Sequence, residues 1–151
     1  MLYFFDSSAL AKLFHPEQGS RAVTSIFAEP RNRIFTSRLA LIELTSVAAI
    51  KVRTGAMTVD DASEFLDDVA DSAKSQRFIV QRLLEEDYAR AQLLLTRHAQ
   101  HHRLRTLDSL HLASALRRRD RSGIDCFVTS DRTLADVAAL EAFPILIPED
   151  K

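Results

Sequence analysis

Four carboxylates interrupt apolar sequence in this chain: Asp6 in FFDSSAL, Glu43 in LIELTSV, Asp108 in LDSLHLASAL and Asp131 in FVTSDRTL. A carboxylate beside buried sequence is costly to desolvate unless something neutralises it. A basic side chain can do so, and so can a hard divalent cation, because Mg²⁺ and Mn²⁺ prefer carboxylate and water oxygens. Acids gathered from distant segments would repel one another without a cation. With one, they are equipped to polarise a phosphoryl oxygen, ionise a water and stabilise a leaving oxygen, which is what phosphodiester hydrolysis requires.

The chain has 21 Asp plus Glu among 151 residues, so context must separate these four from the rest. Asp60-Asp61, Asp67-Asp68 and Glu85-Glu86-Asp87 lie in polar stretches and read as solvated helix faces. Taken singly, Asp6, Asp108 and Asp131 also suit helix caps, and Glu43 suits a satisfied helix carboxylate. Independent caps explain each acid but not the joint pattern. Rival chemistries lack their parts. Ser8 stands where the second acid of an Asp-x-Asp phosphoaspartyl site would be, and three glycines leave no phosphate loop or dinucleotide fingerprint. There is no Gly-x-Ser-x-Gly elbow. His98 and His102 are spaced i, i+4 but lack a Glu-x-x-His partner, so they read as exposed helix-end residues.

The elements that must position the acids alternate between strand and helix. Residues 2 to 5 (LYFF) read as a buried strand that ends at Asp6, and Ser7 and Ser8 open a helix closed by His15-Pro16. Residues 17 to 28 suggest a helix, 33 to 35 a strand, and 38 to about 53 a long helix capped by Thr36 or Ser37. In that helix Leu39, Ile42, Val47 and Ile50 recur at helical spacing, and Glu43 projects from it. A capped helix at 58 to 74 has Phe65, Leu66 and Val69 as its core face. A strand at 77 to 80 and a helix at 85 to about 101 follow, the latter with Tyr88, Ala91, Leu94 and Leu95 on one side. A helix from about Leu107 carries Asp108, with Leu110, Leu112 and Leu116 facing the core. A strand at 125 to 129, a helix at 131 to 140 and a strand at 144 to 147 complete the pattern. Such alternation predicts a three-layer α/β/α sandwich with a central, mainly parallel sheet of about five strands. In such a sheet ligands bind beyond the carboxyl ends of the strands, where Asp6 and Asp131 fall.

Composition sets looser bounds. A net charge of −1 gives no global attraction to nucleic acid, so any basic surface must be local. Arg103 and Arg105 precede the Asp108 helix and are candidates for contact with nucleic-acid phosphates. Arg117, Arg118, Arg119 and Arg121 fit phosphate contacts or a solvated helix end equally well. The single cysteine, Cys126, excludes an intrachain disulfide and fits a buried thiol in a reducing compartment. The start has no basic n-region, and no apolar run nears the ~20 residues of a membrane span. A cytoplasmic location is expected.

The segments around the acids resemble the successive motifs of PIN-domain ribonucleases, above all the VapC-type toxins of bacterial toxin–antitoxin pairs. They are Asp-Ser-Ser-Ala-Leu-Ala-Lys at 6 to 12, Thr-Ser-Arg-Leu-Ala-Leu-Ile-Glu at 36 to 43, Leu-Asp-Ser-Leu-His-Leu-Ala-Ser-Ala at 107 to 115 and Val-Thr-Ser-Asp-Arg-Thr-Leu at 128 to 134. The likeness spans nearly the whole chain, in order, and implies a single PIN domain over residues 1 to 151. It implies an endoribonuclease that uses Mg²⁺ or Mn²⁺ to hydrolyse RNA, a cognate antitoxin that covers the acidic pocket, and a homodimer. By the same resemblance Asp6 and Asp108 match the strongest metal ligands. Glu43 and Asp131 match the other two acids, acting directly or through water. Ser8 and Thr129 match hydroxyl positions that orient a carboxylate or water, and His111 matches a packing or hydrogen-bonding position. Ser7 stands where Thr is commoner. A non-catalytic PIN module that binds RNA or a protein is the alternative.

Overall fold

The computed structural model describes residues 1–151. Its centre is one sheet of five parallel strands, β1 (Leu2–Phe5), β2 (Arg33–Ser37), β3 (Ile79–Gln81), β4 (Cys126–Val128) and β5 (Ile145–Leu146), in the order β3-β2-β1-β4-β5. Seven helices cover it: α1 (Ser7–Ala11), α2 (Ser20–Ala28), α3 (Arg38–Arg53), α4 (Val59–Lys74), α5 (Glu85–His98), α6 (Thr106–Ser122) and α7 (Arg132–Leu140). A 3₁₀ turn at Pro148–Asp150 ends the chain.

Successive strand residues face opposite sides, and both sides are packed, which is why the central strands read as unbroken apolar runs. Tyr3, Phe5, Ile34, Cys126 and Val128 join Leu10, Val23, Leu44, Phe65 and Val69 under α1 to α4. Phe4, Phe35 and Phe127 join Leu94, Leu112, Leu116, Leu134 and Val137 under α5 to α7. Phe4 and Phe127 stack across β1 and β4 with centroids 6.0 Å apart. Burying each such phenylalanine contributes about 1.5–3 kcal/mol. The three-layer sandwich expected from the alternation is the fold observed.

Several local expectations shift. α2 starts at Ser20 rather than residue 17, because Gly19 adopts φ 85° just before it and its Cα passes against Pro148, where an added Cβ would lie 2.9 Å from the proline Cβ. α5 ends at His98 rather than near 101. On α3 the buried residues are Ala40, Leu44 and Ala48, whereas Ile42 and Ile50 are exposed. Likewise Tyr88 is exposed on α5, whose buried residues are Asp87, Ala91 and Leu94. α4 packs Phe65 and Val69 as expected, opened by a reciprocal capping box between Thr58 and Asp61.

The arginines near the end of α6 are engaged within the protein. Arg117 is buried and donates from Nε to Asp87 at 2.7 Å and from Nη2 to the Arg82 carbonyl at 2.8 Å. Arg118 lies over the Phe35 ring, Arg119 donates to the Glu141 carbonyl, and Arg121 pairs with Glu86. His98 is tied to Glu141. No helix is long and apolar enough to cross a membrane.

Candidate active site

In a doubly wound sheet the crevice opens where consecutive connections leave in opposite directions. Here that point lies between β1 and β4: the chain runs from β1 to β2 and β3 on one side, and from β4 to β5 on the other. Asp6 follows β1 directly, and its backbone N–H extends the pairing by donating to the Val128 carbonyl of β4. Thr129, Ser130 and Asp131 leave β4 beside it. Sequence order therefore delivers two of the four acids to the crevice as strand ends, and α3 and α6 bring Glu43 and Asp108 from the helix layers.

Asp6 is the N-cap of α1 and almost wholly buried. Its Oδ1 accepts from Ser8 Oγ at 2.7 Å and from the Ala9 N–H at 2.9 Å, and its Oδ2 accepts from Thr129 Oγ1 at 2.6 Å. Both hydroxyls work twice. Ser8 Oγ accepts from the Ser130 N–H at 2.8 Å and Thr129 Oγ1 from the Asp131 N–H at 3.0 Å, so the β4 exit is stitched to Asp6. Burial pushes the Asp6 carboxyl above its ordinary pKa, although His111, Thr129, Ala9 and Ser8 all favour the ionised form.

Asp131 is the N-cap of α7, where Oδ1 accepts from the Leu134 N–H at 3.0 Å. Asp108 lies in the first turn of α6, where the helix dipole favours a carboxylate. Arg105, just before that helix, joins the two: Nε donates to Asp108 Oδ2 at 2.9 Å and Nη2 to Asp131 Oδ2 at 2.9 Å. Arg103, on the same connection, is exposed and makes no hydrogen bond or ion pair with the acids.

Glu43 is held from α6. His111, one turn after Asp108 and 1% exposed, reaches Glu43 Oε2 with Nε2, while its Nδ1 meets Ser37 Oγ at 2.9 Å. An ionised carboxylate only accepts, so the Nε2 position carries the proton in this contact. Burial pushes Glu43 up, but the hydrogen bond and charge of His111, helped by Ser7 and Arg105, bring it below the ordinary carboxylate range. Ser37, an expected helix cap, makes no capping bond and serves His111 instead. The sequence signal for this arrangement is the i, i+3 spacing of Asp108 and His111, but nothing local points to Glu43 as the histidine's partner.

Of the four acids, Asp6 is linked through Thr129 to the backbone N–H of Asp131, Asp131 through Arg105 to Asp108, and Glu43 to His111 on the helix that carries Asp108. Their donors are hard oxygens, which suit Mg²⁺ or Mn²⁺ by type. No three His, Cys, Asp or Glu side chains are gathered closely enough to form a ready-made cage. Charge in the crevice is instead balanced by the chain's own groups, the guanidinium of Arg105 above all.

Known proteins agree with this architecture. The fold is similar to a chain of the VapBC2 complex of Rickettsia felis, solved with a DNA fragment from its promoter, at a TM-score of 0.67 and 13% identity over 97% of this chain and 98% of that one. It is similar to Mycobacterium tuberculosis VapC20, described as a Sarcin-Ricin loop cleaving toxin, at 0.64 and 18% over 89% and 93%. It is also similar to VapBC-1 of nontypeable Haemophilus influenzae at 0.62 and 14% over 98% of each chain. No curated protein matches the sequence. The profile of the PIN domain matches residues 3–140, which include all four acids, β2 to β4 and all of β1 but Leu2, and the chain belongs to the PIN-domain family.

Proposed function

We propose that this protein is a Mg²⁺- or Mn²⁺-dependent endoribonuclease and the toxin of a toxin–antitoxin pair. The observation that supports the reading is that Asp6 and Asp131 leave the adjacent strand ends at the β1–β4 switch point, with Arg105 tying Asp131 to Asp108 and the same helix holding Glu43 through His111. Asp6 and Asp108 are the principal ligands in this reading, and Glu43 and Asp131 complete the set directly or through water. Bound there, a divalent ion would supply Lewis acidity toward the phosphodiester and lower the pKa of a water.

The chain's own residues do the rest. Ser8 and Thr129 fix both oxygens of Asp6, so this carboxylate cannot rotate. His111, itself anchored by Ser37, holds Glu43 toward the crevice. Arg105 and the exposed Arg103 supply positive charge at the mouth for RNA phosphates. The cleaving activity named for VapC20 and the two-protein complexes among the similar folds support an RNA substrate and a cognate antitoxin, at the coarse level of fold. A homodimer would cover the groove of about 630 Å³ bordered by Leu39, Ile42, Leu83, Tyr88 and Leu110. A cytoplasmic site of action follows from this reading.

The test is cleavage of a mixed RNA pool with Mn²⁺, with matched DNA strands as control. Asp6→Asn and Asp108→Asn should each abolish cleavage while circular dichroism stays native, and full activity in both would overturn the proposal. One observation favours the alternative, a non-catalytic PIN module that binds RNA or a protein: Arg105 already neutralises Asp108 and Asp131. Calorimetric titration with Mn²⁺ separates the two, because the alternative requires no metal binding by the wild type.

A further inference from the structure

Asp131 divides its two oxygens between a backbone donor and a cation. Its Oδ1 accepts from the Leu134 N–H that starts α7, and its Oδ2 is the atom that Arg105 holds. Asp108 likewise presents Oδ2 to Arg105, while its Oδ1 has no partner in the protein. Arg105 is the only cationic side chain bonded to either acid. Any ion that takes Asp131 Oδ2 therefore competes with the guanidinium for the same atom, and a dication beside a fixed guanidinium is opposed by like-charge repulsion.

Arg105 is built to yield. Its side chain is 68% exposed, and Nη1 bonds nothing in the protein. It leaves the chain on the connection between α5 and α6, so four side-chain torsions can swing the head group without moving the helix that carries Asp108. A guanidinium released at this place would stand beside the carboxylates with its donors free, in a fork that matches two phosphate oxygens.

We propose that Arg105 exchanges partners: it closes the crevice as an internal counter-ion to Asp108 and Asp131, and on metal loading turns to a phosphate of the bound RNA. The inference rests on the metal-dependent nuclease reading and adds to it that one residue couples the two binding events. Arg105 opposes metal binding, and it contacts RNA only once displaced.

The experiment compares Arg105→Gln with wild type in two measurements, neither of which is catalytic rate. In calorimetry with Mn²⁺ alone, Arg105→Gln should bind about threefold to tenfold more tightly, the range expected for losing exposed charge pairs that compete with the ion. Arg132→Gln removes a charge next to Asp131 in sequence but pairs only with Asp150, so it should bind Mn²⁺ as wild type does, within about twofold. In anisotropy with a labelled single-stranded oligoribonucleotide, its intactness checked on a gel, Arg105→Gln should lose at least about threefold more affinity in Ca²⁺ than in EDTA. Unchanged or weaker Mn²⁺ binding by Arg105→Gln, or equal RNA losses with and without Ca²⁺, would overturn the inference while leaving the nuclease reading intact. Failure of wild type to bind Mn²⁺ would overturn both.

Discussion

Replacing Arg117 with methionine should be among the most destabilising single changes in the helix layer that carries Asp108. Asp87 has no exposed side-chain surface, and its Oδ1 accepts from Arg117 Nε at 2.7 Å, so α5 and α6 are joined by a buried ion pair. Methionine keeps a long unbranched stem but leaves the carboxylate without its cation, and breaking a buried pair from one side costs about 3–5 kcal/mol. For a chain of this size each kcal/mol moves the melting temperature by about 2–4 °C, so the loss should be about 6–20 °C. Asp87 also caps α5 through Oδ2 and the Leu84 N–H at 2.8 Å, and asparagine can keep that acceptor while removing the charge. The double variant Asp87→Asn/Arg117→Met should therefore recover about half of the loss or more, since only a neutral amide is left uncompensated. Thermal and urea denaturation of the metal-free protein measure both. If the double variant is as unstable as Arg117→Met alone, the cost lies in packing and the charge argument fails.

Burial raises the Asp6 carboxyl, so the folded metal-free protein holds that proton to higher pH than the unfolded chain does. Its ionisation then erodes stability as pH rises from the unfolded value of about 3.9 through the raised folded one, and the stability of Asp6→Asn relative to wild type should climb over that window. Urea midpoints at several pH values in EDTA would show it, and a flat difference would contradict it. Burial pushes the Cys126 thiol up to about 11, so a thiol reagent at pH 8 should label the native protein far more slowly than the urea-unfolded chain. Ile42 is 65% exposed on α3, and Ile42→Asp should convert a dimer to monomer in sedimentation without lowering the melting temperature of the monomer. A sedimentation coefficient unchanged from a dimeric wild type would place the interface elsewhere.

Which parts of this architecture are legible in sequence depends on how many physical constraints coincide at each residue. LYFF and CFV are buried on both faces, so their runs of apolar residues announce strands directly. Asp6 and Asp131 follow such strands, cap helices and lie at the sheet's carboxyl edge, so three constraints agree at each. α3 is different. It carries alanines and one leucine on its buried face and larger aliphatic residues on its exposed one, so periodicity weighted by size selects the wrong side. The arginines from 117 to 121 look like one basic cluster in sequence, yet successive helical positions turn by about 100°. Arg117 accordingly reaches buried Asp87, while its neighbours meet an aromatic ring, a carbonyl and Glu86. The pairing of His111 with Glu43 bridges residues 68 apart, and no local signal encodes it.

The four acids are also unequal in how the protein neutralises them, and this bears on which can accept a cation. Asp6 is satisfied by three neutral donors, so no positive group must leave for an ion to approach it. Glu43 is satisfied by a buried histidine that Ser37 fixes from the other side, an arrangement with little freedom to reorganise. Asp108 and Asp131 share one exposed guanidinium, the only partner in the set that can depart by rotating about side-chain bonds. Asp108 still has an oxygen with no partner. A divalent ion held at these acids would therefore find its least obstructed oxygen at Asp108, and it would contend with Arg105 for Asp131 Oδ2.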